Sequence, residues 1–304
     1  MITALTASGA LVFTGFSLNA TQKQVALSEQ GQYTDRYTKA VEQLDQTGPE
    51  RLQTRLGGIY ALQRLAADSP RDQPTIVNVL GTFISSTVHR ADTAADIRCP
   101  DRIAPDIQAA FTVLTTRDHA HDTDTAPPAA GQLDLRGACL ARGRFVGADL
   151  RGADLTRATL KWADLTRARA DYADLTEVDL TGATLDDTNL SMARLPRAHL
   201  GGAQMSETYL VSAKLTGADL RSANLVQADL GSATLTGASF GEAVLIGADL
   251  GGADLTAADL SGARLDGADL TGARLHGARL VGASHDGTRV GHTATDHATT
   301  GRWW

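Results

Sequence analysis

Residues 247–260 read GADLGGADLTAADL, with Leu at 250, 255 and 260, Ala two places before each Leu and Asp one place before. The period is five, which fits neither the 3.6 residues of a helical turn nor the two of a strand. The pattern extends far on both sides. Every fifth residue from 135 to 280 is Leu except Phe145, Ala170, Met205 and Phe240, giving 26 Leu in 30 positions. Two places earlier stand 25 Ala, the exceptions being Leu133, Gly143, Val178, Thr188 and Thr208. The register never slips, which excludes inserted loops.

Ala and Leu with one polar residue between them make a short strand-like step, in which alternate residues point the same way. The next two residues are Gly, Thr, Ser or Arg in most repeats and suit a corner. Four steps and four corners close a square in 20 residues, with Ala and Leu inside and the other three residues outside. Coils stacked at about 4.8 Å make eight of them a rod about 38 Å long. The narrow interior requires one small inward residue, hence Ala. Asp or Asn before Leu is placed to accept a hydrogen bond from backbone at the corner, and Gly accepts corner torsions that other residues resist.

These residues resemble the pentapeptide-repeat family, whose consensus A(D/N)LXX recurs here almost without a break. The resemblance implies a mainly β fold, a right-handed quadrilateral β-helix. It covers about half the chain. GQYTDRYTKAVEQL (31–44) and RLGGIYALQRLAADSPRD (55–72) also resemble actinobacterial pentapeptide-repeat proteins that carry a membrane helix and a short helical module.

The N-terminal part is predicted to be helical. MITALTASGALVFTGFSL (1–18) has no charged side chain, and the first is Lys23. Its 18 residues reach the lower edge of a membrane span, so residues 1–22 are expected to anchor the chain. Lys23, Arg36 and Lys39 follow and put the rest in the cytoplasm by the positive-inside rule, with a soluble cytoplasmic chain as the alternative. Apolar residues at helical spacing then mark Leu52, Leu56, Ile59, Leu62 and Leu65, next Ile76, Leu80, Phe83 and Val88, and last Ile107, Phe111 and Leu114. The expected division is a helical module at 23–118, a linker at 119–131, a solenoid at 132–290 and a polar tail at 291–304. Cys99 and Cys139 have no metal spacing, so neither a zinc site nor a disulfide framework is expected, and a reducing intracellular compartment follows.

No phosphate loop, nucleophile elbow or HExxH motif is present. The recurrent Asp residues read as corner caps, and His285, Asp286, His292, Asp296 and His297 as a polar tail. Neither an enzyme, a cofactor nor a metal is expected. The net charge of −7 excludes the basic balance of a nucleic-acid binder, so no direct nucleic-acid contact is expected. The family resemblance raises a second function, a DNA mimic that binds gyrase and confers quinolone resistance. Such a surface should be continuously negative. With 20 residues per coil, the four sides carry +1, 0, −3 and −2, a mixed surface.

The repeat is least regular at 157–212, where the second residue after Leu becomes bulky. Trp162, Tyr172, Met192, Tyr209 and Val211 are the candidate partner-binding residues, because exposed aromatic and Met side chains mark interfaces. The expected function is therefore a membrane-tethered, non-enzymatic scaffold that binds a protein partner through a rigid surface. Homodimers through an open solenoid end are a further expectation.

Overall fold

The computed structural model describes residues 24, 28, 30–89, 99–116 and 133–304. The expected anchor at 1–22 and the expected linker at 119–131 lie outside the described residues. Among the described residues no helix is long and apolar enough to cross a membrane. The chain divides into two compact units, residues 1–76 and 77–304.

In the first unit, helix α1 (described over 30–44) is followed by α2 (Leu52–Asp68). Gly48 and Pro49 break the chain between them. The Arg55 guanidinium donates to the Gln46 and Gly48 carbonyls at 3.1 and 2.8 Å, which ties down the connecting turn. Ile59, Leu62 and Leu65 are buried, as their spacing predicts, while Leu52 and Leu56 are only half-buried. Gly58 sets how closely the two helices approach, since a Cβ there would lie 2.7 Å from the Ala40 carbonyl oxygen. Ser69 and Pro70 end α2, and α3 (Gln73–His89) carries the chain into the second unit with Leu80, Phe83 and Ile84 buried.

In the second unit, α4 (Pro105–Thr116) precedes a four-sided solenoid. Each residue before a Leu pairs with the residue 20 places later, from Asp134 with Asp154 to Arg274 with Ala294, always in parallel. Four such columns, five residues apart, define the four sides. The paired residue turns both its N–H and its C=O toward the preceding coil: Asp164 donates to Gly143 at 2.9 Å and accepts from Phe145 at 2.6 Å. Among the described residues each side contributes isolated bridges rather than strands of several residues. A turn every five residues leaves no length for more, so "mainly β" is corrected to a β-solenoid without extended strands.

Each corner is a four-residue turn closed by a bond such as Ala138 N–H to Leu135 C=O at 3.0 Å. The third turn residue sits at positive φ, the requirement of a type II turn. Gly fills it at φ 67° at positions 217 and 237, but Arg157, Trp162, Arg167, Tyr172 and Met192 hold φ 58–62° there. The Asp before Leu caps the turn, as in Thr166 N–H to Asp164 Oδ1 at 3.1 Å. Inside, the Leu and Ala columns are almost wholly excluded from water. Each buried Leu contributes about 2 kcal/mol.

The coil runs beyond residue 290. Ala294 pairs in register, and Thr300 pairs with Arg279 after one additional residue. Thr299 Oγ1 donates to the Leu275 carbonyl at 2.7 Å, and Asp296 Oδ1 accepts from the Gly277 N–H at 2.9 Å. The residues expected as a tail thus close the last coil.

Candidate partner-binding surface

The 20-residue coil decides which side chains are neighbours. Tyr172 and Met192 occupy one corner in successive coils, bonded through Tyr172 N–H to Ser191 C=O at 3.1 Å and Met192 N–H to Val211 C=O at 2.9 Å. Tyr209 pairs with Asn189 on the side that ends at this corner. Tyr172, Met192 and Tyr209 are 51%, 51% and 50% exposed, and Val211 beside them is half-buried. Four of the five candidate residues therefore share one side, with neighbouring coils about 4.8 Å apart. Trp162, 57% exposed, does not join them. It stands half a coil from Tyr172, at the diagonally opposite corner. Its ring lies over Gly182, where a Cβ would run into it.

The irregular core positions on this side are satisfied. Thr188 and Thr208 replace Ala and are buried, and their hydroxyls donate to the Leu165 and Leu185 carbonyls, each at 2.7 Å. The surface opposite is a set of ion-pair ladders. Glu177 accepts from Arg157 at 2.8 Å and from Arg197 at 3.4 Å, in the coils before and after it. The Arg157 hydrogen bond and charge hold the Glu177 carboxyl below the usual range. Arg221 grips Asp219 and depresses its carboxyl. Burial pushes the Asp179 carboxyl up, but hydrogen bonds from Thr181 and Lys161 outweigh it and the net direction is down. These shifts all have structural causes, turn capping and ladder pairing.

The first coil has a cover that the sequence reading missed. Cys99 and Cys139 form a disulfide across 40 residues, which corrects the expectation that the two cysteines make no disulfide framework. Disulfides persist in oxidising compartments, so the reducing compartment inferred from cysteine usage loses its basis. The Ile103 N–H donates to the Ala141 carbonyl at 2.8 Å. The Gln108 amide donates to the Arg144 carbonyl at 2.8 Å and accepts from the Arg144 N–H at 2.7 Å. One side-chain amide thus makes the two bonds that a preceding coil would make. Phe111 meets Phe145 edge to face at 4.8 Å. Gly143 stands in the Ala column because a Cβ there would strike the Phe145 ring. At the other end, Trp303 stacks on His285 at 4.3 Å and Trp304 meets Trp303 edge-on. Among the described residues no group of His, Cys, Asp or Glu is arranged to hold a metal ion.

A parallel, four-sided β-solenoid with a helical N-terminal region is the class this geometry defines. The family described as pentapeptide repeats matches in eight copies, over residues 134–169, 163–202, 173–210, 213–252, 223–262 and 248–284. The chain belongs to the pentapeptide-repeat family. It is similar to HetL of Nostoc, a pentapeptide repeat protein involved in heterocyst differentiation regulation, at 38% identity over 53% of this chain and 78% of that one, with a TM-score of 0.26. A pentapeptide repeat protein of the Arabidopsis thaliana thylakoid lumen is 32% identical over 31% of this chain and 65% of that one, with a TM-score of 0.30. QnrB1, a plasmid-mediated fluoroquinolone resistance protein, is 18% identical over 52% of this chain and 88% of that one, with a TM-score of 0.37. No curated protein matches the chain.

Proposed function

We propose that the chain is a non-enzymatic scaffold. Its right-handed, four-sided rod docks a protein partner on the side bearing Tyr172, Met192, Tyr209 and Val211, and residues 1–18 tether it to a membrane. The observation that carries this reading is the stacking of large, half-exposed side chains at a corner where Gly suffices. A non-Gly residue in the left-handed region costs about 1 kcal/mol or more, and Tyr172 and Met192 accept that cost at φ 62° and 58°. A rigid backbone bonded coil to coil loses little entropy when it binds. Since α4 covers the first coil, two copies that pair through a rod end would use the C-terminal one.

A second reading, a gyrase-binding DNA mimic, draws on the same side, where Asp229, Asp249 and Asp269 succeed one another in adjacent coils. One experiment separates the two. Full-length chain and a Tyr172→Ser, Met192→Ser, Tyr209→Ser variant are used as baits in lysate of the source cells, with captured proteins quantified by mass spectrometry. The scaffold reading expects a partner held by the parent and lost by the variant at unchanged circular dichroism. Gyrase held equally by both, and released by Asp229→Asn with Asp249→Asn, establishes the mimic instead.

A further inference from the structure

We infer that residues 99–111 form a redox-latched cover over the first coil, with the Cys99–Cys139 disulfide as the latch. Three observations meet there. The cover occupies the hydrogen-bonding groups of a sheet edge, since the Ala141 carbonyl and both backbone groups of Arg144 bond to Ile103 and Gln108 rather than to another coil. Its apolar contact is specific: Phe111 lies against Phe145, which replaces Leu in the core column, and Ala141 is buried at a corner position that is half-buried or exposed in the later coils. The bridge joins the two sides of this seam, and Cys99 and Cys139 are both half-buried, within reach of a small reductant.

The latch acts in addition to the apolar contacts of α4, in which Ile107, Ala110, Phe111 and Val113 are buried. Closing a 40-residue loop covalently shifts the closing equilibrium about a thousandfold toward the covered state in the chain-entropy account. Reduction by a dithiol transfers two electrons and two protons to the bridge. Cys99 and Cys139 become thiols, and the dithiol becomes its own cyclic disulfide. The cover then opens about a thousandfold more often, and each opening presents the Ala141 and Arg144 backbone groups as an unpaired edge that can take up an extended segment. In an oxidising compartment that end stays shut.

The test is amide hydrogen exchange on the full-length chain, oxidised and after dithiothreitol, with the two-proton mass increase confirming complete reduction. A Cys99→Ser, Cys139→Ser variant is measured in parallel without reductant. The latch predicts that protection in 99–116 and at Arg144 falls toward a thousandfold in both reduced protein and variant, while coils over 215–235 keep theirs. Unchanged protection in 99–116 after full reduction overturns the proposal. So does a loss spread evenly along the whole solenoid, which would make the bridge a global staple.

Discussion

Gly201 and Gly202 are adjacent in one corner, yet Ala should act on them with opposite signs. Gly202 holds φ +67°, and a Cβ there would meet nothing within 4 Å. Gly201 lies outside the left-handed region, and its Cβ would meet only the Arg221 carbonyl oxygen at 3.8 Å. Neither substitution clashes or removes a hydrogen bond. Gly182 still donates to the Gly201 carbonyl, and the Gly202 N–H still reaches Arg221. Both variants restrict the unfolded chain alike, which stabilises by about 0.4–1 kcal/mol. Only Gly202→Ala also incurs the left-handed penalty of about 1–2 kcal/mol. Gly201→Ala should therefore raise stability by about 0.4–1 kcal/mol, and Gly202→Ala should lower it by about 1 kcal/mol. Urea unfolding followed by circular dichroism reads this as midpoints displaced to opposite sides of the parent at equal slope. Midpoints that move the same way by similar amounts would refute the corner argument and, with it, the cost assigned to Tyr172 and Met192.

Gly143→Ala should cost about 1–3 kcal/mol through overpacking against Phe145, and adding Phe145→Leu should recover part of the loss in thermal unfolding. Thr208→Val keeps the volume but removes one of the two hydrogen bonds to the buried Leu185 carbonyl, which keeps the Thr188 N–H, a loss of about 0.5–1.5 kcal/mol, again read by urea. Asp149, Asp179, Asp219 and Asp254 all have carboxyls held below their usual range. A carboxyl depressed in the folded state stabilises it above the unfolded value and loses this as pH falls through the folded one. Urea midpoints should thus be flat near neutrality and fall below about pH 4. Asp219→Asn should lessen the fall, since Asn keeps the cap acceptor without the charge.

The rod was legible because one residue type recurs at a period that no helix or strand shares. Counting by 20 along the sequence puts Tyr172, Met192, Tyr209 and Val211 on one side. Trp162 shares with Tyr172 and Met192 the second position after the core residue, but the same count puts it half a coil away, at the opposite corner. The corner torsions were legible only as a preference for Gly. That Arg157 or Met192 would adopt φ near 58° is a tertiary effect, imposed by the coils above and below. The cover over the first coil left faint marks, Gly143 and Phe145 as paired exceptions in their columns. Nothing in a 40-residue separation says that two cysteines meet, because their approach depends on how α4 settles on the coil. The Gln108 amide is less visible still, an ordinary helical residue whose role exists only through Arg144.

The central claim is that one side of the rod, around Met192, meets a protein partner while the opposite corner does not. Photo-crosslinking in the source cells tests it most directly, with benzoylphenylalanine placed in the full-length chain at residue 192 or at residue 222. Both are corner positions at positive φ, 58° and 56°, so backbone strain is matched. The account predicts a discrete crosslinked species from 192, lost when Tyr172 and Tyr209 are changed to Ser, and none from 222. Crosslinks of equal yield from both positions, or from 222 alone, would contradict it.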